Sequence, residues 1–328
     1  MPTVDLSTPP PPPDHLLAGL PRRLSVTLPE LRLVAERSGG APLPFLAPAP
    51  DAGRSSGLES RLGPSRGSGD DAAYAAALAG LHDPIDSLTR RGLLDQWGEP
   101  DPGLAGAVGL LATPRVAVDL DLNIGGAQLR AWHRQGRAAV ATLATADGLV
   151  FELAWFATAQ WPGELARVAA LPAELPRRTS ALPAVLDLPY ELLDASGEAL
   201  RAGRADVVPV LAGHHSGRVL ADGTTLPDAQ VPGLLGALQQ ESRGRLRALV
   251  ADLPASPDDG TDDGTDQAPP VPDTVGVTSW LLLADGWHAL RPHVDDHDGR
   301  QEGRVEVRRV EPADLATSLA PVLAEVSR

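Results

Sequence analysis

The chain has 328 residues, with 43 acidic against 28 basic side chains, and its formal net charge is −15 at pH 7. It contains neither cysteine nor lysine, which excludes a disulfide framework, a thiolate zinc site, a cysteine nucleophile, a Schiff-base enzyme and a lysine-containing phosphate loop. Proteins that bind nucleic acid are usually basic, so the acidic balance argues against such a partner. No apolar run is long enough to span a membrane and no secretory signal pattern occurs, so we expect a cytoplasmic protein without membrane insertion.

The first third of the chain combines a low-complexity tail with helical patterns. Residues 1–23 are rich in proline and are predicted to be a disordered tail. Thr27 and Glu30 form a capping box ahead of apolar residues at helical spacing, which predicts a helix over 28–37. After a Gly- and Ser-rich loop, further helical patterns run over about 71–95, with a break at Pro84, and then up to Pro114.

The apolar period then changes from helical to alternating. From Val116 to Ile124, apolar residues alternate with polar ones, as in a strand with one solvated face. Short Gly-containing turns follow, and turns this short join only antiparallel neighbours. We therefore predict a four-stranded meander over 116–124, 127–134, 137–145 and 149–156, followed by a helix over about 160–171.

The second half resembles the first. Residues 305–315 align with 151–161, and residues 232–238 align with 102–108. The two alignments differ in offset by about the length of an acidic insert at 252–273, which we expect to be disordered. The predicted fold class is therefore α+β: a central antiparallel sheet flanked by helices, with a quasi-two-fold repeat of helix–meander–helix units over about 24–171 and 180–328.

Catalytic motifs are weak throughout the sequence. The best metal candidate is a run of imidazoles and carboxylates that would suit Mn or Zn: His293, Asp295, Asp296, His297 and Asp298. This run leads into a polar, Gly-containing stretch and also fits a hairpin loop. A metal-dependent hydrolase therefore stands as one alternative function, and a non-catalytic scaffold unrelated to secretion as another.

The order of several short motifs is typical of one protein family. In chain order these motifs are SVTLPELRLVAE at 25–36, LTRRGLLD at 88–95, PDPGL at 100–104, DLDL at 119–122, SWLLL at 279–283, DGW at 285–287 and VEPADLA at 310–316. This arrangement resembles the EspG family, the secretion-associated chaperones of actinobacterial type VII (ESX) systems. The resemblance covers nearly all of residues 24–328.

The resemblance implies a single EspG-like domain with no active site and no cofactor. It also implies a cytosolic chaperone whose client is a helical secretion substrate, such as a PE–PPE-type heterodimer or another small helical pair. The oligomeric state stays open. Tryptophan and arginine are enriched at interface hot spots, and a turn at a sheet end can project towards a partner. We therefore predict partner-binding residues at Trp132, Arg134 and Arg137, around the turn at 135–136.

Overall fold

The computed structural model describes residues 22–45, 68–252, 273–297 and 300–326. The predicted acidic insert and the predicted tail up to residue 21 lie outside the described residues, apart from the ends of the insert at Asp252 and Asp273. The described chain divides into two compact units. The first comprises Met1–Asp119, Leu129–Trp161 and Ala251–Thr274, and the second comprises Leu120–Gln128, Pro162–Val250 and Val275–Arg328.

Three helices in the first half of the described chain begin at side chains that cap them, whereas the helices beginning at Tyr190, Val208 and Val231 have no side-chain cap. Thr27 accepts a hydrogen bond from the backbone of Glu30, whose carboxylate accepts one from Thr27 N, so the predicted capping box is confirmed. Asp83 and Asp101 are the N-caps of the helices that begin at Pro84 and Pro102, and the side chain of each accepts a backbone hydrogen bond from the first turn. The helices are α1 Leu28–Arg37, α2 Ser68–Ala79, α3 Pro84–Arg90, α4 Pro102–Ala112, α5 Trp161–Val168, α6 Tyr190–Arg201, α7 Val208–His214, α8 Val231–Glu241 and α9 Asp314–Val326.

The strands alternate with these helices, and every pairing with a defined register is antiparallel. The predicted first turn is confirmed, since Gly125 and Gly126 both have positive φ, which a two-residue hairpin of this type requires. The strands are β1 Arg22–Thr27, β2 Val116–Ile124, β3 Ala127–Gln135, β4 Ala139–Thr145, β5 Val150–Ala157, β6 Val185–Pro189, β7 Leu220–Ala221, β8 Thr224–Thr225, β9 Gly244–Asp252, β10 Asp273–Leu282, β11 Trp287–His297 and β12 Arg300–Val310.

The strand order is similar in the two halves of the chain. In the N-terminal half the order is β1-β5-β4-β3-β2, and β1 leads into α1. In the C-terminal half the order away from β9 is β9-β10-β11-β12-β6, with β7 and β8 beyond, and β6 leads into α6. Each half thus has a four-stranded meander whose last strand pairs with a short strand from earlier in the chain. The antiparallel α+β architecture expected from the sequence is confirmed.

Each unit has its own apolar core. In the first unit the core gathers buried residues from α1, α3 and α4 and from the inner face of the meander, with Phe151 and Trp155 among the largest. In the second unit the core gathers residues of α6, α7 and α8 against β6 and β12, including Leu192, Leu235 and Val305. No helix among the described residues combines the length and apolarity that crossing a bilayer requires.

Two predicted boundaries are wrong, for identifiable reasons. The helical stretch predicted to run to residue 95 ends at Arg90, because Gly92 adopts a φ of +67° that a helix cannot accommodate. Residues 22 and 23, predicted to belong to the disordered tail, are the first residues of strand β1, which pairs with β5 from Arg22↔Trp155 to Thr27↔Val150. Its partner is far away in sequence, so no local pattern announces the pairing.

Candidate functional site

The structure separates the six tryptophans of the chain by burial. Trp97 is 77% exposed, whereas no other tryptophan is more than 8% exposed; those five are Trp132, Trp155, Trp161, Trp280 and Trp287. Large aromatic side chains are usually well buried in folded proteins, so an almost fully exposed tryptophan is informative. Trp97 lies between α3 and α4, in a segment of residues 93–101 that we call the Trp97 loop.

A network of short hydrogen bonds holds the tip of the Trp97 loop. Asp95 Oδ1 accepts hydrogen bonds from the backbone N–H of Trp97 at 2.9 Å and of Glu99 at 2.8 Å. The backbone of Asp95 also donates to Glu99 O at 2.9 Å and accepts from Gly98 N at 3.0 Å. Gly98 has a φ of +86°, which glycine adopts without steric cost. The backbone that carries Trp97 is therefore well defined.

Both ends of the Trp97 loop are attached to the first unit. Leu94 is buried in the core of that unit and pairs with Pro100 through an isolated antiparallel bridge. A guanidinium nitrogen of Arg37, at the end of α1, donates to Gly98 O. Asp101 then accepts from Leu104 N and so caps α4. The loop thus presents one large aromatic side chain from a fixed support, with little conformational entropy left to lose on binding.

By sequence all six tryptophans are candidate aromatic anchors, and Trp97 is not among the residues predicted to bind a partner. A signal for it was present, because the tryptophan directly precedes the turn-forming run Gly98 to Pro102. A large aromatic residue beside such a run points to an exposed loop tip.

The expectation that Trp132 and Arg134 project from a turn is wrong. Trp132 is 8% exposed, and its ring centroid lies 5.6 Å from that of Phe45 in the core of the first unit. Arg134 is 7% exposed, and its Nη1 lies 2.6 Å from Asp119 Oδ1. The reason is that the last residues of β3 are covered on both faces, so strand alternation exposes neither side chain. The prediction that Trp132 and Arg134 bind a partner is untested, but its premise, that both side chains project from a turn, does not hold.

Arg137 differs from these two residues. It lies in the β3–β4 connection and is exposed, as predicted. The connection itself is closely packed. Gly136 N donates a hydrogen bond to Ala139 O at 2.9 Å, and a Cβ added at Gly136 would lie 3.0 Å from a methyl group of Leu110. Arg137 is therefore the member of the predicted set that a partner can reach from solvent.

The metal candidates lie on a strand rather than in a loop. Residues 293–297 belong to β11 and pair with β12 in a continuous register from His293↔Arg304 to His297↔Arg300. Asp295 and Asp296 lie opposite Glu302 and Gln301 in the same register, and Asp298 is outside the described residues. Consecutive residues of a strand alternate between its faces, so the predicted run as a whole does not lie on one face.

Charge also disfavours a cation at this position. His293 Nε2 lies 3.3 Å from Asp187 Oδ2, and the buried guanidinium of Arg304 lies 2.8 Å from the other oxygen of Asp187. Because Arg304 already neutralises the charge of Asp187, this carboxylate does not need a metal ion to balance it. Over the part of the chain that the structure describes, no three His, Asp or Glu side chains are arranged to hold a metal ion.

Comparison with known proteins gives one informative result. No protein-family model matches the chain, and no curated protein matches it by sequence. Among solved structures it is similar to the Mycobacterium tuberculosis type VII secretion system chaperone EspG5, whose structure was determined in complex with the PE25–PPE41 dimer. The similarity has a TM-score of 0.56 at 11% identity and covers 92% of this chain and 96% of EspG5.

The chain has an EspG-like fold. The similarity covers nearly the whole of both proteins, so the resemblance expected from the order of the short motifs is confirmed at the level of fold. At this identity the similarity carries no individual residue across. The residues of the EspG-like fold that contact a partner have to be argued from this chain alone.

Proposed function

We propose that this protein is a cytoplasmic, non-enzymatic chaperone that binds a helical type VII secretion substrate and keeps it soluble for export. The observation that carries the proposal is the EspG-like fold, which extends over almost the full length of both chains. The client is a PE–PPE-type heterodimer or another small helical pair. Such a client exposes an apolar helical tip, and an exposed apolar surface of that size aggregates unless it is covered.

The Trp97 loop is the client-contact element in this proposal. Tryptophan is among the residue types most enriched at interface hot spots, and the hydrogen bonds of Asp95 hold the backbone of Trp97 before binding. A rigid support lowers the entropy cost of association. Asp95 and Glu99 are both exposed beside Trp97, so a client with cationic residues around an apolar slot would complement the loop. Arg137 is a second, independent candidate contact.

The test is co-expression of the full chain with small helical proteins encoded beside its gene, followed by calorimetry on any complex that copurifies. Trp97→Ala should weaken client binding about tenfold or more, because it removes a hot-spot side chain. Arg137→Ala should weaken binding by a smaller factor, as is usual for charges at an interface rim.

The matched control is Val210→Ala, which trims another exposed apolar side chain, 59% exposed on α7 of the second unit. It should leave client affinity within about twofold, as expected outside a hot spot. Equal losses in Trp97→Ala and Val210→Ala would remove the Trp97 loop from the proposal. Failure of any helical partner to copurify would remove the chaperone role itself.

The internal repeat belongs to the same proposal. The similar strand orders β1-β5-β4-β3-β2 and β6-β12-β11-β10-β9 support two related helix–meander–helix units. A crystal structure tests this relationship, and the five strands of one unit should superpose on the five strands of the other. Different strand tilts or lengths that prevent superposition would contradict the repeat.

A further inference from the structure

The second unit contains a cleft that the chaperone proposal does not use. Its volume is about 640 Å³, which is within the range of ligand sites in proteins. One wall is the segment 177–184 that precedes β6, and the other is formed by Asp285, His288 and Arg309. We call it the arginine cleft, because three arginines line it in a chain with a net charge of −15: Arg177, Arg178 and Arg309.

The first wall of the arginine cleft is fixed by two side chains outside it, the buried Glu241 and the half-buried Arg243. The carboxylate of Glu241 accepts hydrogen bonds from Ser180 Oγ at 2.6 Å and from Ala181 N at 2.8 Å. Arg243 donates to Pro176 O at 2.6 Å and to the carbonyls of Leu283 and Ala284 at 2.9 and 3.0 Å. The cleft is therefore held open by side chains of the protein and does not depend on its occupant.

The positive charge in the arginine cleft is only partly compensated. Arg177 and Arg178 are exposed, and neither forms an ion pair with a carboxylate of the described residues. Arg309 is paired, because its Nη2 donates to Glu311 Oε1 at 3.3 Å and its Nη1 lies 3.7 Å from Asp285 Oδ2. Guanidinium groups pair well with carboxylates because their N–H donors match the two oxygens. The occupant should therefore carry a carboxylate.

Asp285 supplies the second requirement. Its Oδ1 is buried, and no hydrogen-bond donor of the described residues reaches it. His288 Nε2 lies 3.7 Å away, and the Nδ1 of that ring faces Gly286 O at 3.3 Å. Burial lowers the pKa of His288, although Asp285 opposes the shift, so the ring is neutral near pH 7. A neutral ring carries one N–H proton. When that proton is on Nδ1 and donates to Gly286 O, Nε2 has only a lone pair facing Asp285 and cannot donate to Oδ1. Leaving a buried acceptor such as Oδ1 without a donor destabilises the folded protein.

An adjoining cavity with several apolar walls supplies the third requirement. It has a volume of about 220 Å³ and shares Arg177 and Asp285 with the arginine cleft. Its other walls include the apolar residues Leu171, Trp287 and Val310, and Glu311 lies at one side. A side chain of leucine size fits a space of this volume and character.

We propose that the arginine cleft binds the C-terminal residue of a peptide with an apolar last side chain. Its α-carboxylate pairs with Arg177 and Arg178, its backbone N–H donates to the carboxylate of Asp285, and its side chain enters the adjoining cavity. A C-terminal residue carries these three groups on one Cα, which is why it satisfies the site better than an inorganic anion does. The inference does not rest on the chaperone role, because the cleft can bind a C-terminus whatever the rest of the protein does.

The experiment uses the full chain and the fluorescein-labelled peptide Gly-Ser-Gly-Ala-Leu with a free C-terminal carboxylate, measured by fluorescence anisotropy. We expect saturable binding in the micromolar range. The same peptide with a C-terminal amide should bind at least about tenfold more weakly, because the charge-assisted pairs are lost. Replacing its leucine with glycine should weaken binding about fivefold or more through lost apolar burial.

Variants locate the binding. The double substitution Arg177→Ala/Arg178→Ala should weaken binding at least about tenfold. The matched control is Arg201→Ala/Arg204→Ala, which removes two exposed arginines of the same unit outside the cleft and should change affinity by less than about twofold. Asp285→Asn should also weaken binding, because the amide is a poorer acceptor for the peptide N–H.

Several outcomes would overturn the inference. They are no saturation up to about 1 mM peptide, equal affinity for the acid and the amide, or equal losses in the two double variants. Tight binding of an amidated peptide with an internal aspartate would overturn the assignment to a C-terminus. Free leucine or inorganic phosphate binding as tightly as the peptide would show a small-anion site instead. None of these results depends on whether a secretion client copurifies.

Discussion

Trp132 packs its indole against Phe45 in the core of the first unit, and its substitution tests that placement directly. Trp132→Ala should lower the free energy of unfolding by about 3–5 kcal/mol, as large-to-small changes of buried aromatic residues do. Urea denaturation followed by circular dichroism measures this change. Trp97→Ala is the matched control and should stay within about 0.5 kcal/mol of the parent protein. A Trp132→Ala protein as stable as the parent would contradict the placement.

Glu241 gives the protein a pH-dependent contact. Burial alone would raise the pKa of this carboxyl, but hydrogen bonds from Ser180 Oγ and the Ala181 N–H outweigh it and hold the pKa below its ordinary value. A lowered pKa in the folded state means that the stabilisation is fully present at neutral pH. It is lost as the pH falls through the folded pKa of Glu241.

Glu241→Gln should therefore destabilise the protein by about 1–2 kcal/mol at pH 7, with a difference from the parent that shrinks in acid. Thermal or urea unfolding at several pH values between about 3 and 7 measures this trend. Glu198→Gln, which changes an exposed carboxylate on α6, should have little effect at any pH. A Glu241→Gln difference that grows as the pH falls would contradict the assigned direction of the shift.

At the residue scale, local hydrogen-bonding motifs can be predicted from the sequence more reliably than the burial of individual side chains. The Thr27–Glu30 capping box is a short-range pattern, and the structure confirms it. The burial of Trp132 and Arg134 depends on Phe45 and Asp119, which are separated from them in sequence, and no pattern within β3 reveals those contacts. The arginine cleft was not predicted for the same reason, because its walls come from segments that are distant in sequence.

At the scale of elements, α9 packs against β10 without spare room. A Cβ added at Gly276 would lie 2.8 Å from a methyl group of Val322, closer than side chains approach one another. Gly276→Ala should therefore cost about 1–3 kcal/mol of stability, as overpacking does. Adding Val322→Ala should recover much of that loss by opening space at the contact. Equal stability of the parent and the single variant in thermal unfolding would contradict this close approach.

The elements themselves were largely predictable from periodicity. The alternating pattern from Val116 onwards and the Gly-containing turns correctly predicted a four-stranded meander, with boundaries within a few residues. Strand β1 was missed because six residues with mixed polarity carry no signal until β5 is there to pair with them. The metal candidates were placed in a loop because their polarity hid the continuation of β11.

At the scale of the whole molecule, the acidic insert gives a prediction that rests on the sequence. Deleting residues 255–270 should leave the melting temperature nearly unchanged, because a run of like charges with few apolar residues contributes little to a core. Differential scanning calorimetry of the full and deleted chains makes the comparison. A large fall in the melting temperature would show that the segment packs against the fold.

The fold class and the similarity to EspG5 could be predicted from the order of the sequence motifs and elements, although the sequence identity between the two chains is low. The chain shares 11% of its residues with EspG5, yet the similarity spans 92% of its length. An architecture tolerates this divergence because it depends on apolar periodicity and turn positions, which many sequences satisfy. A binding site depends on particular side chains, so the arginine cleft could be found only from the structure, whereas the Trp97 loop had a weak sequence signal in the turn-forming run that follows the tryptophan.

The uneven burial of the tryptophans gives the molecule an intrinsic optical probe. Aqueous iodide reaches Trp97, at 77% exposure, far more readily than the other five indoles, none of which exceeds 8%. The quenchable, long-wavelength part of the emission should therefore come from one position and disappear in Trp97→Phe. A client that covers the loop would shield that component from iodide, so occupancy of the Trp97 loop can be read without any label.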